Sequence, residues 1–126
     1  MRRVVPDASA LSAVIFGEPD AARIEPLLHD AELFAPTLLQ FELANVAWKK
    51  ARREPASGVA ILTALRAALD DGGITWVDVN LTDAVLVAQE TGLTAYDASY
   101  VWLAGALGAD LVTLDERIQA VGRDPV

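Results

Sequence analysis

Three apolar segments of this chain each lead into an aspartate, and this pattern constrains the fold more than any other. They are Val4-Val5-Pro6-Asp7, Leu93-Thr94-Ala95-Tyr96-Asp97 and Leu111-Val112-Thr113-Leu114-Asp115. An open parallel sheet gathers its ligand groups at the carboxyl ends of its strands, so acids far apart in sequence can share one pocket. Glu42, from the middle of an amphipathic segment, adds a fourth acid. Four carboxylates in one pocket would require a cation.

Strand-like and helical segments alternate along the chain. Strands are predicted over residues 2–6, 33–35, 74–77 and 111–113, and helices over about 8–16, 20–29, 37–53, 57–70, 81–90, 96–107 and 115–121. Thr37 and Gln40 have the spacing of a capping box, Asn80 or Thr82 is expected to cap a helix, and glycines 92 and 108 predict helix ends. The pattern predicts an α/β fold with a mainly parallel central sheet flanked by helices, in a single domain over residues 1–126.

Composition narrows the classes of protein. The chain has 126 residues, 53% of them hydrophobic, and no cysteine, which fits one domain with a real core and excludes disulfides and thiolate zinc sites. No apolar run approaches the about 18 residues of a membrane span, and the start leads directly into a strand rather than a signal sequence. We therefore expect a soluble cytoplasmic protein with no membrane partner.

Charge restricts how this chain can contact nucleic acid. The net charge is −8, from 10 Lys+Arg and 18 Asp+Glu, which argues against binding through a broad basic surface. Lys49, Lys50, Arg52 and Arg53 nevertheless lie within six positions. They fit first a solvated helix end, where cations face the negative pole of the helix dipole; the alternative is a small phosphate-contacting patch.

Each acid also has a purely structural interpretation. Asp7 and Asp115 fit as N-caps of the helices that follow them, and Asp97 lies three residues after Thr94, where the helix dipole favours an acid. Glu42 fits this interpretation less well, because helical spacing places it between two apolar stripes, at the rim of the core.

The four acids, taken with the order of the elements around them, resemble the PIN domain in its VapC-like form, the toxin of type II toxin–antitoxin pairs. The resemblance covers essentially the whole chain. It rests on four segments: Val4 to Leu11, Phe41 to Val46 (Phe-Glu-Leu-Ala-Asn-Val), Tyr96 to Tyr100 (Tyr-Asp-Ala-Ser-Tyr) and Leu111 to Arg117.

The resemblance implies a metal-dependent endoribonuclease. The acids of that family, matched here by Asp7, Glu42, Asp97 and Asp115, surround one or two Mg²⁺ or Mn²⁺ ions. Ser9, Asn45 and Thr113 match supporting positions, and the lysines and arginines at 49, 50, 52 and 53 become candidate RNA contacts. The resemblance also implies a cognate antitoxin whose basic tail enters the acidic site, and a homodimer formed through helices. Pro6, directly before the first acid, removes a backbone donor from the strand and puts the orientation of Asp7 in question.

The residue chemistry favours the same class independently. Carboxylates are the hard oxygen ligands that Mg²⁺ and Mn²⁺ prefer, and a bound ion could activate water and neutralise charge on a phosphate. Paired-histidine RNA cleavage is excluded because His29 is the only histidine, and no cysteine nucleophile exists. The alternatives are a metal-dependent binding module or a PIN-like fold that is catalytically silent. An adhesion-type site lacks its second serine, since position 11 is leucine, and an acid-phosphorylated signalling domain lacks its late lysine.

Overall fold

The computed structural model describes residues 1–123, and its helices and strands alternate as predicted. The strands are β1 (Arg3–Pro6), β2 (Glu32–Pro36), β3 (Ile74–Val77) and β4 (Asp110–Val112). The helices are α1 (Ala8–Ile15), α2 (Ala21–Leu28), α3 (Leu38–Arg53), α4 (Gly58–Asp71), α5 (Leu81–Thr91), α6 (Ala95–Leu107) and α7 (Glu116–Arg123), with a 3-10 turn at Pro55–Ser57. Each predicted element is present, with ends displaced by one or two residues.

The four strands form one parallel sheet in the order β3-β2-β1-β4, which confirms the predicted fold class. The chain runs from β1 outward through β2 to β3, and then crosses to the opposite side of β1 to form β4. The connections that leave β1 and β4 therefore diverge, although these strands are neighbours paired over Val4–Pro6. A switch point of this kind opens a crevice at the carboxyl ends of the two strands.

The core lies on both faces of the sheet because β1 is buried on both sides. Val5 belongs to a cluster with Leu39, Leu43, Tyr100 and other side chains of α3 and α6. Its neighbour Val4 points the opposite way and packs in a second cluster with α1 and α2. The sheet thus holds α3 and α6 on one face, where both helices reach the crevice. Within residues 1–123, no helix combines the length and apolarity needed to cross a membrane.

The helix ends confirm some sequence predictions and correct one. Gly92 and Gly108 end α5 and α6 with φ of 77° and 61°, the left-handed conformation expected of C-cap glycines. Asn80, rather than Thr82, caps α5 through the Asp83 N–H at 3.0 Å. The capping box predicted at Thr37 was wrong: this residue has helical φ and ψ of −57° and −25° and makes no side-chain cap bond. A capping side chain needs an extended backbone to reach the first turn.

Candidate active site

Asp7 follows β1 and is held by three hydrogen-bond donors. The residue is 4% exposed. Its Oδ1 accepts from the Ser9 hydroxyl at 2.7 Å and from the Ala10 N–H at 3.0 Å, so Asp7 is the N-cap of α1. Its Oδ2 accepts from the Thr113 hydroxyl. These donors compensate the hydration that a buried carboxylate loses, and they fix its orientation.

Pro6 does not disturb this arrangement. The backbone groups of successive strand residues point to opposite neighbouring strands. The Asp7 N–H points to β4, where it donates to the Val112 carbonyl at 3.1 Å, so the N–H that Pro6 lacks would point to β2. Pairing between β1 and β2 involves only Arg3 and Val4 of β1. The proline therefore lies beyond the part of β1 that needs this donor, and Asp7 keeps its backbone anchor.

Two hydroxyl groups join the segment after β4 to the segment after β1. Besides donating to Asp7, the Thr113 hydroxyl accepts from the Asp115 N–H at 2.9 Å. The Ser9 hydroxyl donates to Asp7 and accepts from the Leu114 N–H, also at 2.9 Å. The two hydroxyl oxygens are 3.4 Å apart. This network holds the start of α7 beside Asp7, across the crevice between β1 and β4.

Asp97 and Asp115 combine a helix-capping position with a place in the crevice. Asp97 is in the first turn of α6, where its N–H donates to the Thr94 hydroxyl at 3.1 Å. Asp115 precedes α7, and its Oδ1 accepts from the N–H groups of Arg117 at 2.8 Å and Ile118 at 3.2 Å. The structural interpretation of these acids is therefore correct. It is compatible with a functional one, because helix starts at the carboxyl edge of a sheet bring their acids together.

Glu42 projects from α3 and is half-buried. The Tyr100 hydroxyl, on α6, donates to its Oε1, and Tyr100 itself is 1% exposed. Burial is the main cause that raises the pKa of Glu42, and the charges of Asp97 and Asp7 raise it further, while the Tyr100 bond opposes them. Burial and the adjacent carboxylate also raise the pKa of Tyr100, which keeps this phenol neutral and able to donate.

The charges of the acids raise one another's pKa values, which indicates that the four acids lie near one another. The pKa of Asp97 is raised chiefly by burial and then by the Asp115 carboxylate, with a smaller contribution from Asp7. The Arg117 guanidinium opposes this shift. The charges of Asp7 and Asp115 thus both act on Asp97, and the charges of Asp7 and Asp97 both act on Glu42. The site joins acids from the ends of β1 and β4 and from α3 and α6.

The oxygen atoms of this site are of the chemical type that a hard divalent cation prefers as ligands. The four acids, with the hydroxyls of Ser9 and Thr113, supply hard oxygen donors, and repelling carboxylates favour capture of a cation. Within residues 1–123, however, no three histidine or acidic side chains stand close enough to hold an ion without adjustment. Both oxygens of Asp7 accept internal hydrogen bonds, and the Arg117 Nη2 lies 3.7 Å from Asp97 Oδ2.

The other predicted residues lie outside this cluster. Asn45 is exposed one turn beyond Glu42, and the structure describes no hydrogen bond from its side chain to residues 1–123. Lys50 pairs with Glu18 at 3.3 Å and is therefore occupied. The remaining three, Lys49, Arg52 and Arg53, are exposed at the end of α3 and are called the α3 basic patch below. Within this patch, the Arg52 guanidinium stacks 4.8 Å from the Trp48 ring centre.

Sequence reasoning gave no role to two residues that contact the acids. Tyr100 lies one turn after Asp97 on α6, and a buried tyrosine usually needs a hydrogen-bond partner, which is the signal that could have found it. Arg117 lies two residues after Asp115, which makes it a neighbour of that acid in any helix start. Its contact with Asp97 depends on the tertiary fold and has no signal in the sequence.

Comparison with known proteins places the chain in a family. A model of the PIN domain matches residues 4–124. Ribonuclease VapC3 of Pyrobaculum aerophilum is 35% identical over 123 residues, which cover 92% of this chain and 92% of that protein. Exonuclease VapC9 of the same organism is 35% identical over 115 residues, covering 90% and 81%. The crystal structure of PAE2754, also from this organism, matches with a TM-score of 0.78 at 28% identity, over 99% of this chain and 88% of the other. The chain therefore belongs to the PIN domain family and is one of its VapC-like members.

Proposed function

We propose that this chain is a divalent-metal-dependent endoribonuclease and the toxin of a toxin–antitoxin pair. The observation that carries the proposal is the gathering of Asp7, Glu42, Asp97 and Asp115 at the carboxyl edge of the sheet, where burial and mutual repulsion raise the pKa of two of them. Perturbed carboxylates clustered in a crevice are typical of catalytic sites. The name of the similar ribonuclease VapC3 supports RNA as the substrate.

The three aspartates and Glu42 would hold Mg²⁺ or Mn²⁺. When bound, such an ion makes water a nucleophile near neutral pH and neutralises charge that develops on the phosphate. Asp7 is held by Ser9, Ala10 and Thr113 and would serve as the fixed ligand. Asp97 is held less tightly, since among the described residues the Thr94 hydroxyl is its one hydrogen-bond partner outside the helix backbone. It is our candidate to accept the proton of the attacking water, for which a raised pKa is suitable.

The α3 basic patch would contact the RNA backbone. Lys50 is omitted from this role because its ammonium group already pairs with Glu18. A chain of net charge −8 binds RNA through few contacts, so most of the affinity must come from this patch and from the bound ion.

A cytoplasmic antitoxin with a basic segment fits the acidic crevice by charge complementarity, and helix-mediated homodimerisation belongs to the same proposal. Toxin status predicts that expression of the chain alone arrests growth. Co-expression of its antitoxin, or the Asp97→Asn substitution, should restore growth.

The direct test is RNA cleavage by the purified chain without its partner. Structured RNA is incubated with the parent in Mg²⁺, in Mn²⁺ and in chelator, and Asp97→Asn is prepared identically. Asp70→Asn is the matched control, because Asp70 is an exposed aspartate on α4. We expect cleavage by the parent and by the control only with metal, and a loss of at least a hundredfold in Asp97→Asn.

A circular RNA in the same assay separates two modes of cleavage. One similar protein is named an exonuclease, and an exonuclease cannot act on a substrate without ends. Cleavage of the circle supports the endonuclease. If only linear RNA is degraded, the activity is exonucleolytic. If no RNA is cut while Mn²⁺ still raises the melting temperature, the chain is a metal-dependent binding module.

A further inference from the structure

Arg117 carries a positive charge to the rim of the acidic crevice. It lies in the first turn of α7, and its side chain is 68% exposed. Its Nη2 is 3.7 Å from Asp97 Oδ2, and its Nε is 4.0 Å from Asp115 Oδ1. Both distances exceed the about 2.7–3.2 Å of a hydrogen bond. The attraction is therefore Coulombic and weak in this exposed position, and the guanidinium can change partners at little cost.

The backbone beneath this mobile side chain is fixed. The Arg117 N–H donates to Asp115 Oδ1 at 2.8 Å, and the next residue, Ile118, is 2% exposed. The guanidinium therefore remains at the mouth of the crevice whichever anion it faces. Among the side chains that the structure describes, it is the one basic group within 4 Å of any of the four acids.

A divalent cation and Arg117 compete for the same carboxylate oxygens. An ion held by Asp97 and Asp115 takes up the negative charge that now attracts the guanidinium, and it repels the guanidinium directly. An RNA phosphate at this site would bring new anionic oxygens to the mouth of the crevice. A guanidinium binds phosphate with two parallel N–H groups, which makes arginine well suited to this role.

We propose that Arg117 is a phosphate-binding residue of this site, which exchanges Asp97 and Asp115 for the RNA backbone when the divalent ion binds. This inference rests on the proposed function and adds a substrate contact to it. The α3 basic patch contributes general attraction two or more turns beyond Glu42 on its helix, whereas Arg117 acts at the scissile phosphate.

The test compares Arg117→Gln with the parent in two assays. Calorimetric titration with Mn²⁺ alone, without RNA, measures the competition, and steady-state RNA cleavage over a range of salt concentrations measures the phosphate contact. Arg23→Gln is the matched control. Arg23 lies on α2, its side chain is 67% exposed, and its guanidinium pairs with Asp20 at 3.3 Å.

We expect Arg117→Gln to bind Mn²⁺ two- to tenfold more tightly than the parent, because a competing cation has been removed. We expect its kcat/KM to fall at least tenfold, with a salt slope smaller by about one, as the loss of one phosphate contact requires. Arg23→Gln should match the parent in both assays. Weaker Mn²⁺ binding would overturn the proposal and make Arg117 a support for the carboxylates. If the parent cuts RNA and Arg117→Gln has the same kcat/KM and the same salt slope, the proposal is overturned as well, but the proposed ribonuclease activity is supported. If the variant binds Mn²⁺ more tightly than the parent but neither protein cuts RNA, the competition between Arg117 and the ion is retained, while the proposed ribonuclease and the phosphate contact that rests on it both fail.

Discussion

The hydrogen bond between Tyr100 and Glu42 gives the most direct test of how the site is built. Tyr100→Phe removes one hydroxyl and leaves the buried ring in place. A hydrogen bond to a charged group contributes about 1.5–3 kcal/mol. Because Glu42 is only half-buried, water can replace part of this bond, so we expect the free energy of unfolding to fall by about 1–2 kcal/mol.

A double-mutant cycle tests whether this loss of stability comes from the hydrogen bond between Tyr100 and Glu42. Urea unfolding is measured in chelator at pH 7 for Tyr100→Phe, for Glu42→Met, which has no oxygen to accept this hydrogen bond, and for both together. We expect a coupling energy of about 1 kcal/mol, since residues in direct contact are non-additive. Tyr96→Phe is the matched control, because Tyr96 is 65% exposed on the same helix, and its effect should stay within about 0.5 kcal/mol. Additive losses would show that Tyr100 stabilises the core without acting through Glu42, and would refute this reasoning.

Three further predictions concern charge and hydrogen bonding. Folding raises the pKa of Asp97, so ionisation of this carboxyl destabilises the fold as the pH rises above the ordinary pKa of aspartate. In chelator at pH 7, Asp97→Asn should therefore have a higher melting temperature than the parent, and the difference should disappear toward pH 4. Asp70→Asn should have the melting temperature of the parent at both pH values. Thr113→Val removes a donor from a buried carboxylate and should lower the free energy of unfolding by about 2–3 kcal/mol in urea; the exposed Thr82→Val should stay near the parent. Neutral replacement of the α3 basic patch should reduce the salt dependence of RNA cleavage with kcat unchanged, while Lys50→Gln alone should leave that dependence unchanged.

Much of the fold could be predicted because local signals agree with the tertiary structure. The run Val4-Val5 is apolar on both faces, as a central parallel strand requires, and glycines at 92 and 108 end helices where a left-handed residue is needed. The capping box failed because spacing alone does not reveal the backbone conformation of Thr37. The preceding strand residue, Pro36, is paired with β3, and the chain enters α3 directly from the sheet.

The candidate site was predictable in its acids and not in their partners. Asp7 and Asp115 follow strand signals, so topology alone places them at one edge of the sheet. The contact between Tyr100 and Glu42 joins residues on different helices, and its partners are 58 positions apart. The pairing of Lys50 with Glu18 likewise depends on how α3 packs beside the end of α1, which the charge pattern does not encode.

The four acids divide into two kinds, and this division would favour the proposed binding of a cation. Asp7 and Asp115 accept hydrogen bonds from three and two donors that belong to the helix starts and hydroxyl network. Glu42 and Asp97 have fewer donors and raised pKa values. The well-supported acids fix the geometry, because they also cap the helices on which the fold depends. The poorly supported acids carry the electrostatic cost, and a bound cation would relieve it. Capping and the proposed metal binding are thus compatible in one arrangement, since a carboxylate held by a helix start would keep its position whether or not an ion is bound.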